Sequence, residues 1–83
     1  MKIEVRYFAS IREVLGAGEA VDAGDAATVG ALRDLLIGRG GVHATALARG
    51  RALRCALDRA LCEESAVLKE GAEVAFFPPV TGG

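Results

Sequence analysis

The sequence predicts an α+β domain in which one main helix lies across one face of a mixed sheet, with short extra helices. Three stretches of the chain lead to this fold class. Residues 2–8 alternate polar and apolar side chains, as a strand with one buried face does. Residues 29–36 carry apolar side chains at helical spacing, and residues 74–77 have the composition of a strand. A helix packed on one face of the sheet buries these apolar surfaces together.

Length and composition limit the class of protein. The chain has 83 residues, 52% of them hydrophobic, and a formal net charge of −1, which together indicate one small folded domain. The balanced charge gives no reason to expect nucleic acid or an anionic membrane as a partner, and no apolar run is long enough to span a bilayer. Cys55, Cys62 and His43 lack the spacing of metal ligands, so we expect no metal site and a reduced, cytoplasmic protein.

The pattern of the first strand predicts an aromatic side chain on the polar face, outside the core. Alternation directs Ile3, Val5 and Tyr7 to one face and leaves Phe8 on the polar face. A short helix is expected next, over residues 10–15, with Ser10 as its N-cap and Gly16 as its end. Its predicted apolar stripe consists of Ile11, Val14 and Leu15. A brief strand should follow at residues 19–22.

The main helix is expected to begin after Thr28, a suitable N-cap. Its apolar stripe should face the sheet while Arg33 and Asp34 face water. The stripe consists of Val29, Leu32, Leu35 and Leu36. The glycine-rich residues 38–41 are expected to end the helix, because no Lys-Ser or Lys-Thr follows to complete a phosphate-binding loop. Residues 43–48 should form a further short turn of helix, with His43 at the surface or at the start of this helix.

The second half of the chain predicts a hairpin and a final strand. Residues 53–57 and 60–62 should be strands joined by a turn at Asp58-Arg59, and the two cysteines should be small buried apolar residues. A turn at Glu70-Gly71 leads into the final strand. The local group of basic residues has two open interpretations, a solvated face or a docking surface for an acidic partner. This group consists of Arg49, Arg51, Arg54 and Arg59.

The last residues predict a domain at residues 1–79 and a flexible tail at 80–83. Pro78 and Pro79 end the final strand, because proline donates no ladder hydrogen bond, and they favour an extended path. Val80, Thr81, Gly82 and Gly83 follow. A thread ending in two glycines can enter a channel too narrow for other residues. We therefore expect the Gly83 carboxylate to be the reactive group, although exposed termini are often only frayed chain.

Two stretches resemble one known family. Residues 7–13 (Tyr-Phe-Ala-Ser-Ile-Arg-Glu) and residues 73–83, with their Phe-Pro-Pro-Val-Thr-Gly-Gly ending, are similar to the small subunits of molybdopterin synthase. These are sulfur carriers with a ubiquitin-like β-grasp fold. The resemblance covers the whole chain, weakly in its middle. This chain has Asp58 where the family often has Asn, and Ala72 where an acidic residue is common; both are expected in turns.

The resemblance implies a mechanism in which this chain supplies a terminus and no catalytic residue. An ATP-dependent adenylating enzyme would convert the Gly83 carboxylate to an acyl-adenylate, and a sulfur donor protein would replace AMP to leave a thiocarboxylate. Residues 80–83 would then enter the large subunit of a heterotetrameric synthase. There the sulfur would pass to cyclic pyranopterin monophosphate to form molybdopterin. No cofactor would be bound to this chain, and ATP would be used by the activating enzyme.

The partner-docking surface is predicted at Phe8, Phe77, Pro78 and Pro79. In a β-grasp sheet the first and last strands are parallel neighbours, which places Phe8 and Phe77 on the open face at the same end. Two adjacent exposed aromatic side chains are typical of a partner surface. The alternative is that the short helix covers one of them.

Three other functions are compatible with such a terminus. A sulfur carrier for thiamine or another thio-product is disfavoured by the Phe-Pro-Pro-Val run. A protein modifier would be conjugated to target lysines through Gly83, as ubiquitin is. An interaction domain would carry its Gly-Gly ending by chance.

Overall fold

The computed structural model describes residues 1–79. Within them the elements follow the predicted alternation of strands and helices. In chain order they are β1 (Lys2–Tyr7), α1 (Ala9–Leu15), β2 (Gly18–Asp22), α2 (Val29–Ile37), α3 (Gly41–Ala46), β3 (Arg54–Leu57), β4 (Ala60–Cys62) and β5 (Glu73–Phe77). Among these residues no helix is both long and apolar enough to cross a membrane.

The sheet is mixed, and its first and last strands are parallel neighbours at the centre. The strand order is β2-β1-β5-β3-β4. β1 runs parallel to β5, with Val5 opposite Val74 and Tyr7 opposite Phe76. The other neighbouring pairs are antiparallel. This topology, with helices on one face, confirms the α+β class and the β-grasp arrangement that the resemblance implied.

The core lies between one face of the sheet and the helices. Ile3, Val5 and Tyr7 are at most 1% exposed, so the predicted inward face of β1 is confirmed. The remaining buried side chains come from other strands, from the three helices and from the loops between them. These include Ile11, Val21, Val29, Leu32, Leu36, Leu47, Cys55, Leu68, Val74 and Phe76.

The main helix α2 begins and ends where the sequence predicts. The hydroxyl oxygen of Thr28 accepts a hydrogen bond from the Ala31 amide at 3.1 Å, which satisfies one of the free donors of the first turn. Three residues of the stripe are fully buried and Leu35 is half-buried. Gly38 follows the last turn, and its amide donates to the Asp34 carbonyl. The next helix, α3, begins at Gly41, two residues before its predicted start.

Arg33 does not face water, and the prediction that it would was wrong. Its side chain is 4% exposed and binds the loop that follows α3. The guanidinium donates to the carbonyls of Leu47 (2.8 Å), Ala48 (2.6 Å) and Arg51 (3.1 Å), and pairs with Glu64 at 2.8 Å. A buried guanidinium is tolerated only when such partners replace water. Arg33 therefore fastens this loop to α2.

Two details of the predicted short helix were also wrong. α1 begins at Ala9 after Phe8, whose extended backbone makes it the N-cap, so Ser10 lies inside the first turn. Val14 is 53% exposed, whereas Ile11 is buried and Leu15 is half-buried. Ile11 and Leu15 are four residues apart and share the edge of this short helix that meets the core. Gly16 ends the helix with a positive φ of 89°, as predicted.

The β3–β4 hairpin turns at the predicted dipeptide. Asp58 and Arg59 both have positive φ, 49° and 70°, as the two central residues of a type I′ turn require. The Asp58 carboxylate also accepts a hydrogen bond from the Glu73 amide at 2.9 Å. Asp58, which stands where asparagine was expected to be more common, therefore adopts the backbone conformation that the turn requires. Ala72 is buried at 5% exposure, so it lies at the edge of the core rather than in an exposed turn.

Candidate functional site

The two phenylalanines of the predicted docking surface lie side by side in the sheet register. Tyr7 pairs with Phe76, and the Phe8 amide donates to the Phe76 carbonyl at 3.3 Å, so Phe8 and Phe77 occupy the next level of the two parallel strands. Phe8 keeps an extended backbone, with φ −132° and ψ 159°. Because Tyr7 and Phe76 point into the core, alternation places Phe8 and Phe77 on the opposite, open face.

The exposed fractions of these side chains show whether they form a surface patch or whether α1 covers one of them. Phe8 is 46% exposed, so α1 does not cover it. Phe77 and Pro78 are half-buried, and Pro79 is exposed. β5 ends at Phe77, immediately before the two prolines. The structure therefore brings Phe8, Phe77 and Pro78 to one end of the sheet. Their docking role remains a prediction.

The open face continues across the sheet to a residue that the sequence analysis missed. Ala75 pairs with Ala56, and Ala56 pairs with Leu61, so these three residues form one row across β5, β3 and β4. Ala75 and Ala56 are each 9% exposed, whereas Leu61 is 68% exposed. Leu61 alternates with the core-side Cys62, and this alternation was the available signal. We call Phe8, Phe77, Ala75, Ala56 and Leu61 the apolar face.

Basic residues flank the apolar face. Arg54 is paired with Phe77 in the register and is exposed. Arg6 pairs with Ala75, and its guanidinium lies 3.9 Å from the Glu73 carboxylate. Arg59 lies 3.6 Å from the same carboxylate. Exposed pairs at such distances contribute little to stability and leave the cations accessible. The edge of the apolar face is thus suited to a partner with acidic groups.

The basic group noted in the sequence does not form one surface. Arg49 reaches α2, where it donates to Asp34 at 2.9 Å and to the Gly30 carbonyl at 3.0 Å, and it also donates to Glu64 in the loop after β4. Glu64 thereby joins Arg49 and Arg33. Burial alone raises the pKa of Glu64, but its hydrogen bonds with the two arginines outweigh burial and lower it. Arg49 is a structural residue, whereas Arg54 and Arg59 remain near the apolar face.

Glu19 is the centre of a second polar cluster, which the sequence analysis did not predict. The Glu19 carboxylate binds the Tyr7 hydroxyl at 2.7 Å, the Arg39 guanidinium at 2.7 Å and His43 Nε2 at 2.8 Å. Burial by itself raises the pKa of Glu19, but these hydrogen bonds outweigh it and lower the pKa from 4.5 to about 2. Burial and the bond to Glu19 raise the pKa of Tyr7. His43 was expected at the surface or at a helix start; it is half-buried in α3 and engaged here.

The remaining predicted site residues are those of the tail, residues 80–83. Val80, Thr81, Gly82 and Gly83 lie outside the described residues, so their predicted entry into partner sites is not addressed by the structure. Within residues 1–79, no group of three or more His, Cys, Asp or Glu side chains is placed to hold a metal ion. The features that the structure does bring together are an apolar face and the strand that leads to the terminal residues.

Comparison with known proteins gives concordant matches over nearly the whole chain. The model of the ThiS family matches residues 5–83. The molybdopterin synthase sulfur carrier subunits of Escherichia coli and Haemophilus influenzae are 42% and 40% identical over 81 residues. Each alignment covers 98% of this chain and 99% of the relative.

Solved structures share the fold. The small archaeal modifier protein 1 of Haloferax volcanii superposes with a TM-score of 0.75 and 28% identity, covering 95% of this chain and 98% of that one. A chain from the complex of subunits 1 and 2 of molybdopterin-converting factor from Helicobacter pylori gives a TM-score of 0.67 and 26% identity, with 100% of both chains covered. These matches confirm the fold and the family resemblance.

Proposed function

Since this chain belongs to the ThiS family, we propose that it is the sulfur-carrier small subunit of a molybdopterin synthase and acts in the cytoplasm. The observation that carries the proposal is its 40–42% identity, over 98% of its length, to two relatives named molybdopterin synthase sulfur carrier subunit. The Phe-Pro-Pro-Val-Thr-Gly-Gly ending supports it. The chain is not catalytic on its own in this proposal, and the catalytic residues belong to the large subunit.

The chemistry resides on the Gly83 carboxylate. A carboxylate is a poor acyl donor because oxide would have to leave. Adenylation by an ATP-dependent, ubiquitin-activating-like enzyme makes AMP the leaving group. Hydrosulfide released by a donor protein then attacks the acyl carbon and displaces AMP, and the thiocarboxylate that forms carries one sulfur to cyclic pyranopterin monophosphate. Gly82 and Gly83, which lack side chains, allow the terminus to pass through narrow channels in both partners.

The apolar face supplies the docking energy. On the apolar face Leu61 and Phe8 are exposed, whereas Ala56 and Ala75 are nearly buried. Contiguous exposed apolar surface is typical of a site where a partner protein binds. Because Phe77 lies one residue before the prolines, binding at this end of the sheet fixes where residues 80–83 start. The large subunit and the adenylating enzyme would both use the apolar face, one after the other. Arg54 and Arg59 at its rim would meet acidic groups of these partners.

Reconstitution tests the proposal. The chain carrying a thiocarboxylate at Gly83 is mixed with a molybdopterin synthase large subunit and cyclic pyranopterin monophosphate, and molybdopterin is measured. We expect molybdopterin to form in proportion to the thiocarboxylated chain supplied, and none to form with the carboxylate form. If the thiocarboxylated chain yields no molybdopterin with a large subunit that is active with its own carrier, the proposal is wrong.

A protein-modifier function is the second candidate, because one structural neighbour is named a modifier protein. In that case Gly83 would form an isopeptide bond with lysine side chains of other proteins. Denaturing analysis of extracts that contain the tagged chain would distinguish the two. Covalent conjugates of higher mass that depend on Gly83 would support the modifier, whereas a free chain alone would support the carrier.

A further inference from the structure

The β3–β4 hairpin holds two thiols opposite one another, and the proposed function uses neither. Cys55 and Cys62 are directly paired in the antiparallel register. Both are free, and their sulfur atoms are 3.7 Å apart. The Cys55 thiol also lies 3.4 Å from the Cys62 carbonyl oxygen. The pairing is set by the backbone, because the two-residue turn at Asp58-Arg59 fixes which residues face each other.

This placement meets the geometric requirement of a disulfide. Residues directly opposite in antiparallel strands have Cα atoms about 4.5–5.5 Å apart, within the range of about 4.4–6.8 Å that disulfides span. The sulfur atoms must approach from 3.7 Å to a bond length of about 2 Å. Rotation of the two side chains supplies most of this movement, and β4, which is an edge strand of three residues, can supply the rest.

One of the two thiols is accessible to a small reagent. A surface cavity of about 500 Å³ adjoins the pair, which is a volume typical of small-molecule sites. It is lined by Leu53, Arg54, Cys55, Cys62, Glu63 and Glu64. Cys62 is half-buried at this cavity, whereas Cys55 is 5% exposed.

We propose that Cys55 and Cys62 form a reversible intrachain disulfide by exchange with a low-molecular-weight disulfide such as oxidised glutathione, which makes the hairpin a redox modification site. The modification is distinct from the sulfur chemistry proposed at Gly83.

The exchange has two balanced steps. The Cys62 thiolate attacks one sulfur of the small disulfide, forming a mixed disulfide and releasing the first small thiolate, which takes up the proton that Cys62 lost. Cys55 then loses its proton to solvent and attacks the Cys62 sulfur, releasing the second small thiol. The protein dithiol is oxidised by two electrons, and one small disulfide is reduced to two thiols. Burial raises the pKa of the Cys55 thiol to about 12, so Cys55 is a poor first nucleophile. Its attack in the second step is intramolecular, because the two sulfur atoms are 3.7 Å apart in the reduced chain.

The sequence makes the product easy to identify. Arg59 lies between the two cysteines, so trypsin places them on different peptides, residues 55–59 and 60–69. The reduced full chain is incubated with oxidised glutathione, quenched in acid, and measured by intact mass and by a non-reducing tryptic map. We expect a loss of two hydrogen atoms, a disulfide-linked pair of these two peptides, and recovery of the original mass with dithiothreitol.

Matched single variants separate the two steps. In Cys55→Ser the second step is impossible, so a glutathione adduct should accumulate on Cys62. In Cys62→Ser the buried thiol that remains should react much more slowly than Cys62 does in Cys55→Ser. The proposal is overturned if the native chain stays reduced while a surface-thiol control reacts. It is also overturned if the native chain stops at the Cys62 adduct, or if it forms only disulfides between chains.

Discussion

Glu19 illustrates, at the scale of single residues, how one charged group holds separate parts of the fold together. Its carboxylate joins Tyr7 of β1, Arg39 after α2 and His43 of α3. These partners come from three positions in the chain that share no local pattern. Arg33 does the same from within α2, where it binds three loop carbonyls and Glu64.

Replacement of Glu19 should change both stability and its dependence on pH. We expect Glu19→Gln to lower the free energy of unfolding by about 1–3 kcal/mol at neutral pH, because it removes charge-assisted hydrogen bonds. In the folded chain Glu19 stays ionised down to about pH 2, whereas in the unfolded chain it takes up a proton near 4.5. Its contribution is therefore present above pH 4.5 and is lost as the pH falls towards 2.

The melting temperatures of the native chain and of Glu19→Gln, measured as a function of pH, test this expectation. The native chain should lose stability more steeply than Glu19→Gln between these two pH values. Glu13→Gln, at an exposed position of α1, is the matched control and should follow the native curve. Parallel curves for the native chain and Glu19→Gln would contradict the assignment.

Removal of Arg33 should be costly in a way that removal of a surface arginine is not. Arg33→Ala leaves three loop carbonyls without their donor and leaves Glu64 paired with Arg49 alone, and breaking a buried pair costs about 3–5 kcal/mol. Arg51→Ala is the control, because it removes an exposed side chain and keeps the carbonyl that Arg33 binds. It should change stability by less than about 0.5 kcal/mol. Urea unfolding measures both, and equal losses would show that Arg33 has no special role.

At the scale of elements, β5 assigns two adjacent phenylalanines to opposite faces of the sheet. Phe76 is 1% exposed and belongs to the core, whereas Phe77 lies on the apolar face and is half-buried. The alternation of a strand makes this division unavoidable. The same alternation in β4 directs Cys62 towards the core side and leaves Leu61 68% exposed.

The two phenylalanines therefore provide a matched pair of variants. Phe76→Ala should lower the free energy of unfolding by about 3–5 kcal/mol, because it opens a cavity in the core. Phe77→Ala should cost less stability but should weaken binding to the large subunit by roughly 1.5–3 kcal/mol, or about 10- to 100-fold in Kd. Thermal unfolding and titration calorimetry give the two quantities. A large loss of stability in Phe77→Ala with unchanged affinity would place Phe77 in the core.

At the scale of the whole molecule, periodicity predicts what lies along one element, and it does not predict which elements meet. The faces of β1 and β5, the Thr28 cap and the Asp58-Arg59 turn follow from local chemistry, so the sequence predicts them. The position of Arg33 does not follow from local chemistry. A charged side chain beside an apolar helical stripe is expected to face water, and only the folded chain brings the loop after α3 against it. Leu61 was missed because the only signal for it is its alternation with Cys62, and a strand of three residues shows that alternation only once.

The Gly83 carboxylate is the proposed reactive group, and the intact mass of the chain after sulfur loading tests this proposal. The chain is incubated with the adenylating enzyme, ATP and a sulfur donor. The native chain should gain the mass of one oxygen-to-sulfur exchange, located in its C-terminal peptide. A chain with one alanine appended after Gly83 should fold normally but gain none, because displacements of this size can cost about 100-fold when a reaction depends on positioning. Equal gain in the extended chain, or no gain in the native one, would contradict the account.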